Sequence, residues 1–130
     1  LIIALGYTGL IIYLSLINLA DTPVSRLGVG DKIMHAGAYF GLAVLWLTYI
    51  IFNSLNERLL RKIIVVCIVC IIFGTFIEVL QHILTEYRQL DLLDAVANSI
   101  GVLVAGTLVW LLKELLIRLK AKINLIFMKK

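Results

Sequence analysis

The chain has 130 residues, of which 62% are hydrophobic and 15% are charged, and its mean hydropathy is +1.08. Soluble domains are roughly 45–50% apolar and about 25% charged, so this composition excludes an ordinary soluble protein and predicts an integral membrane protein. A transmembrane helix needs about 20 mostly apolar residues. We therefore expect one domain over residues 1–130, with about four spans and no room for a soluble catalytic domain.

The apolar stretches predict an all-α, polytopic membrane protein, a bundle of four transmembrane helices. The spans are expected at about residues 1–20, 33–52, 63–84 and 91–116, followed by a basic tail at 117–130. The first span lacks a small-residue cleavage pattern after it, so we expect it to be retained. Residues 113–128 can form an amphipathic helix at the interface, with Lys113, Arg118, Lys120 and Lys122 on its wetter side.

Basic residues are distributed unevenly about these spans. Nine of the 12 Lys and Arg residues fall in the loop between spans two and three or after span four, and only Arg26, Lys32 and Arg88 fall on the other side. The positive-inside rule then predicts that both termini are cytoplasmic. The net charge of +4 indicates contact with anionic lipid head groups and not with nucleic acid.

Polar residues inside the predicted spans follow helical spacing, so each set can face into the bundle. The three sets are Asp31, His35 and Tyr39; Glu78, Gln81 and His82; and Asp91, Asp94, Asn98, Gly101 and Ala105. We expect them to meet at one outward-facing level, with Glu78 about 9 Å below Leu84. Because burying such groups is costly without partners, their convergence predicts a functional site. Gly101 and Ala105 favour a close helix approach below it.

The chemistry of this site has three readings. Lys32 and Arg88 at its rim are suited to binding a phosphate or carboxylate. His35 with Glu78 or Asp94 is suited to acid–base catalysis. The third interpretation is a metal ion held by His35 with Asp31, Glu78 or Asp94. One histidine among carboxylates is not a zinc spacing pattern. We therefore expect neither a metal nor another cofactor.

Structural roles compete with these readings. Asp91 is predicted to be a helix N-cap, and Asp31 can play the same part for span two. Lys32 and His82 can be interfacial residues, while His35, Glu78 and Gln81 can be hydrogen-bonding links between helices. Cys67 and Cys70 form a CxxC that we expect to act as two small apolar residues.

The combined pattern resembles the VanZ-like family of small bacterial membrane proteins. It comprises Asp31-Lys32-x-x-His35 with Tyr39-Phe40, then Gly74-x-x-x-Glu78-x-x-Gln81, then Arg88-x-x-Asp91-x-x-Asp94-x-x-x-Asn98-x-x-Gly101. The resemblance covers about residues 21–109. It implies a multi-pass protein of the bacterial cytoplasmic membrane, with low-level teicoplanin-type glycopeptide resistance as the family phenotype.

The expected function is therefore binding of a lipid-linked or lipophilic glycopeptide ligand in the cell envelope. The ligand-binding residues would be Asp31, Lys32, His35, Glu78, Gln81, Arg88, Asp91, Asp94 and Asn98. One alternative is a membrane enzyme acting on an anionic envelope lipid, with His35, Glu78 and Asp94 as acid and base, although no nucleophile motif is present. Another is a small oligomeric transporter in which Glu78 carries protons. The oligomeric state is left open.

Overall fold

The computed structural model describes residues 1–17, 30–53, 58–84 and 91–128, and their regular structure is helical. Five helices follow one another: α1 (Ile2–Leu16), α2 (Asp31–Asn53), α3 (Leu59–Leu84), α4 (Leu92–Leu111) and α5 (Lys113–Met128). The expected all-α class is confirmed for these residues. Arg26 and Arg88 lie outside them.

Three helices in the described part of the chain are long and apolar enough to cross a membrane: α2, α3 and α4. At 1.5 Å per residue they are roughly 30–39 Å long, which matches a hydrocarbon core of about 30 Å. The expected first span is described only as the 15-residue α1, about 22 Å long. Four spans are thus not shown, but three are consistent with a multi-pass membrane protein.

The expected fourth span does not continue to residue 116. The helix ends at Leu111, Leu112 has φ −89° and ψ 4°, and a separate helix begins at Lys113. The break coincides with the change from an apolar to an amphipathic sequence, and the Lys113 ammonium lies 5.2 Å from the centre of the Trp110 ring at the junction, a cation–π contact. The basic tail expected from residue 117 is therefore helical through Met128.

Many large apolar residues of the helices face outward, while other apolar residues and a few polar ones are buried between the helices. On α3, Ile64, Ile68 and Ile72 are 49%, 51% and 63% exposed, whereas Cys67 and Cys70 are buried. An apolar outer surface of this extent is what lipid requires of a membrane helix. The helix pair with the largest mutual contact is α2 and α4, and α3 packs against both.

Small residues allow α2 and α4 to approach closely, as the spacing of Gly101 and Ala105 predicts. A Cβ atom at Gly101 would lie 2.0 Å from the Ala36 carbonyl oxygen, far inside van der Waals contact. Ala105, one turn further along α4, is fully buried. The two backbones are thus in direct contact immediately beneath the polar residues that begin each helix.

Lys120 does not lie on the wetter side of α5, and this expectation was wrong. Its side chain is buried, with 7% of the residue exposed, and its Nζ donates a hydrogen bond to the Ile51 carbonyl oxygen at 3.1 Å. Ile51 is in the last turn of α2, where carbonyl groups lack intrahelical partners and carry a partial negative charge. The ammonium group satisfies one of them and links α5 to the end of α2.

Candidate functional site

The start of α2, the end of α3 and the start of α4 lie together at one end of the bundle. This arrangement follows from consecutive helices running in opposite directions. It brings together four side chains that we call the polar cluster: His35 from α2, Glu78 from α3, and Asp94 and Asn98 from α4. Three members, Glu78, Asp94 and Asn98, are 5%, 6% and 1% exposed, so the cluster is largely enclosed by the helices.

The deepest part of the polar cluster is a hydrogen-bonded triangle. Asn98 Nδ2 donates to Glu78 Oε1 at 2.9 Å, and His35 Nδ1 lies 3.2 Å from Asn98 Oδ1 and 3.3 Å from Glu78 Oε1. An ionised carboxylate only accepts hydrogen bonds, so Asn98 must present its NH₂ group to Glu78 and its oxygen to His35. Nδ1 of His35 then carries the proton and donates it. The cost of burying the Glu78 carboxylate is thus offset by its contacts with Asn98 and His35.

Lys32 joins the beginnings of α2 and α4. Its ammonium group donates to Asp91 Oδ2 and to Asp94 Oδ1. These two carboxylates are 59 and 62 residues from Lys32 in the sequence, so the double ion pair is a long-range link between the two helix starts. We expected Lys32 to be a rim cation available to a ligand. It is instead shared between two carboxylates of the protein.

Asp91 caps α4, as predicted. It precedes the helix in an extended conformation, and its Oδ1 accepts the backbone N–H of Leu93 at 2.8 Å. The Lys32 ammonium, and after it the Leu93 N–H, lower the pKa of the Asp91 carboxyl. Asp31 does not precede α2 but is its first residue, while the Gly30 carbonyl accepts from Ile33 and Met34. Asp31 thus contributes a negative charge to the first turn.

The outer face of the His35 ring meets two further carboxylates. Its Nε2 lies 3.8 Å from Asp31 Oδ1 and 3.6 Å from Asp94 Oδ2. Among the described residues, Asp31, His35 and Asp94 form a group whose ligand atoms lie within 4.8 Å of one another and could hold a metal ion. The Asp31 side chain is 52% exposed, so this face of the ring is the side from which the cluster is reached.

The remaining residues named in the sequence analysis are not part of the polar cluster as it is defined above. Gln81 Nε2 donates to the Ser15 carbonyl oxygen of α1 at 2.8 Å, so its amide links α3 to α1. His82 is exposed. Arg88, expected at the rim, lies outside the described residues.

Tyr39 belongs to the predicted inward-facing set of α2 but was not among the expected ligand-binding residues. It is 2% exposed, and its hydroxyl has no hydrogen-bond partner among the described residues. The ring fits against Gly74, where an added Cβ would lie 2.8 Å from Tyr39 Cε1. The sequence signal was its position four residues after His35, which puts its ring one turn deeper on the same face of α2.

An apolar groove of about 340 Å³ runs beside the bundle between α1, α2 and α3. Trp46 and Thr8 line one part of it and are joined by a hydrogen bond from the indole N–H to the hydroxyl at 3.2 Å. Phe73 and Cys70 line the part nearest Glu78. Both cysteines of the CxxC are free and buried, which agrees with their expected role as small apolar residues.

Comparisons with family models, with curated proteins and with solved structures found no match to this chain.

Proposed function

We propose that this chain is a VanZ-like protein of the bacterial cell envelope that binds a lipid-linked or lipophilic glycopeptide ligand at the polar cluster. The proposal draws on the sequence resemblance over about residues 21–109. The observation that carries it is the enclosed group of His35, Glu78, Asp94 and Asn98, contributed by three helices whose outer faces are apolar. Polar groups at such positions are costly and mark functional sites in membrane proteins.

The shape of the surroundings supports an amphiphilic ligand. The apolar groove reaches Phe73, which is five residues or about 7 Å along α3 from Glu78. A ligand with its polar head at the polar cluster can therefore place an acyl or prenyl chain in the groove. The polar head of such a ligand would contact the polar cluster and its apolar chain would contact the groove, as in other specific ligand pockets.

The distribution of basic residues supports an outward-facing site. Arg58, Arg61 and Lys62 lie at the start of α3, at the opposite end of the bundle from the polar cluster, together with the basic helix α5. If the basic end is cytoplasmic, both termini are inside and the cluster faces the envelope. Gly30→Cys should then be labelled by a membrane-impermeant maleimide on intact cells and Arg58→Cys should not, both in a Cys67→Ala/Cys70→Ala background. The reverse labelling would refute this orientation.

The binding function is tested by expressing the chain in a glycopeptide-susceptible bacterium. We expect a higher inhibitory concentration of teicoplanin but not of deacylated teicoplanin, which lacks the chain for the groove. Asn98→Ala should abolish the protection, because it removes the side chain that is hydrogen-bonded to both His35 and Glu78. Ser99→Ala is the matched control, since within the described residues the Ser99 hydroxyl donates its hydrogen bond to the Ala95 carbonyl oxygen of its own helix. Equal protection by wild type and Asn98→Ala, at equal membrane abundance, would contradict the proposal.

A membrane enzyme is the second candidate, and a specific contact favours it. The imidazole of His35 stands between buried Glu78, 3.3 Å from Nδ1, and Asp94, 3.6 Å from Nε2. A carboxylate that orients one ring nitrogen and leaves the other toward substrate is the arrangement of a general base. Glu78→Gln should keep both binding and protection if the protein only binds. Loss of protection with teicoplanin binding retained in nanodiscs would favour catalysis.

A further inference from the structure

Three metal-ligating atoms converge on the open side of the polar cluster. They are Asp31 Oδ1 and His35 Nε2 from the first two turns of α2, and Asp94 Oδ2 from the first turn of α4. Asp31 and His35 are four residues apart and therefore share one helix face. Asp94 is brought to them by the close packing of α2 on α4.

The hydrogen bonds of His35 fix which nitrogen is available. Nδ1 faces only acceptor oxygens, from Asn98 and Glu78, and must carry the proton of a neutral ring. Nε2 then presents its lone pair toward the carboxylates of Asp31 and Asp94. Because Nε2 and the two carboxylate oxygens are all electron-pair donors in this tautomer, their close approach is unfavourable unless a proton or a metal ion lies between them.

The distances fit a metal ion better than a proton. A hydrogen bond from imidazolium to carboxylate is about 2.7–2.9 Å long, whereas Nε2 lies 3.6 Å and 3.8 Å from the two carboxylate oxygens. Ligand atoms each about 2.0–2.2 Å from a zinc-sized ion lie roughly 3.4–3.8 Å apart at tetrahedral to trigonal angles. These two distances fit; the third, between the Asp31 and Asp94 ligand atoms, is within 4.8 Å, and the half-exposed Asp31 side chain would turn toward Asp94 when an ion binds.

The charges of the described residues also favour a cation. The described residues at this end of the bundle include four carboxylates, those of Asp31, Glu78, Asp91 and Asp94, and one ammonium group, that of Lys32. Lys32 is bonded to Asp91 Oδ2 and Asp94 Oδ1, which leaves Asp94 Oδ2 and the whole of Asp31 uncompensated. A divalent ion would neutralise this remaining charge.

We propose that Asp31, His35 and Asp94 bind a divalent transition-metal ion, with Zn²⁺ or Mn²⁺ as the class that suits one imidazole and two carboxylates. Glu78 and Asn98 are the outer partners that hold the imidazole in its metal-binding tautomer, a common arrangement around ligating histidines. Three protein ligands leave coordination positions open to water or to an oxygen of a bound ligand. This site does not depend on the proposed glycopeptide function.

The test uses the full chain purified in detergent, without an affinity tag, in a Cys67→Ala/Cys70→Ala background so that no thiol competes for metal. After chelator treatment the protein is titrated with Zn²⁺ and Mn²⁺ by calorimetry, and with Co²⁺ by visible absorption. We expect one ion per chain and a cobalt spectrum of a nitrogen- and oxygen-ligated site. Asp31→Asn should weaken binding of the preferred ion by at least about tenfold.

Two variants serve as matched controls. Glu114→Gln removes an exposed carboxylate at the start of α5, at the opposite end of the bundle, and His82→Gln removes the other histidine of the chain, which is also exposed; both should bind as the wild type does. Because the Asp31 side chain is half exposed, Asp31→Asn should keep its helical circular dichroism and melting temperature, so lost binding is not lost folding. Absence of binding by the wild type, or equal binding by wild type and Asp31→Asn, would overturn the proposal.

Discussion

Gly101 of α4 lies against the carbonyl oxygen of Ala36 of α2, so closely that a methyl group at position 101 would be 2.0 Å from that oxygen. This contact sits one turn below Asn98 and fixes the distance between the two helices that carry most of the polar cluster. The obstacle is backbone and not a flexible side chain, so only a separation of the helices can make room.

Gly101→Ala should therefore destabilise the protein by about 1–3 kcal/mol, the usual cost of overpacking. Gly37→Ala is the matched control, because nothing lies within 4 Å of a Cβ at that helical position and alanine is the better helix former. We expect Gly37→Ala to be neutral or slightly stabilising in thermal unfolding in detergent. Equal melting temperatures for the two variants would show that α2 and α4 are not this close.

Glu78→Ala should lower stability by about 1–3 kcal/mol, since it leaves the Asn98 amide N–H without its buried acceptor and removes one of the two oxygens beside His35 Nδ1. Glu78→Gln should cost less, because its amide oxygen can still accept from Asn98. The comparison is made by unfolding both variants under the same conditions. If alanine and glutamine were equally tolerated, the carboxylate would not be holding the cluster together.

Lys120→Met should destabilise the protein by about 1–3 kcal/mol, because the Ile51 carbonyl loses its buried donor while the apolar stem is retained. Lys122 is exposed on the same helix, so Lys122→Met should leave the melting temperature unchanged. Limited proteolysis gives a second measurement, with faster cleavage of α5 expected only for Lys120→Met. Equal behaviour of the two variants would contradict the attachment of α5 to α2.

The charge of Asp91 should contribute to stability in a pH-dependent way. Its pKa is lowered by the Lys32 ammonium and the Leu93 N–H, so its contribution is present above the ordinary pKa of 3.8 and is lost as the pH falls through the lowered value. Asp91→Asn keeps an N-capping oxygen and removes the charge. We expect wild type to melt above Asp91→Asn at neutral pH, with the difference shrinking below pH 3.8. A difference that is constant with pH would exclude this role.

The amino-acid sequence predicted the convergence of His35, Glu78, Asp94 and Asn98, because spacing by three and four residues places each of them on an inward face. It also predicted the cap at Asp91 and the close approach at Gly101. These features depend on local helix geometry, which the order of residues determines directly.

Partners across helices were less predictable. Lys32 was expected to be a free rim cation, and its double pairing depends on the distance between the starts of α2 and α4. Lys120 was expected on the wet side of α5, since helical periodicity does not reveal that the end of α2 offers an unsatisfied carbonyl. The junction at Leu112 was missed because the residues up to 112 remain strongly apolar, so hydropathy alone did not mark the change of helix.

The double ion pair of Lys32 has a consequence for selectivity. An anionic head group approaching this end of the bundle would have to displace Asp91 and Asp94 from the ammonium group, and it would meet the exposed carboxylate of Asp31 on the way. The arrangement therefore disfavours a simple anion at this entrance. Under the proposed binding function, the favoured ligands would be those with an amino group of their own, or those whose phosphate or carboxylate arrives together with a metal ion.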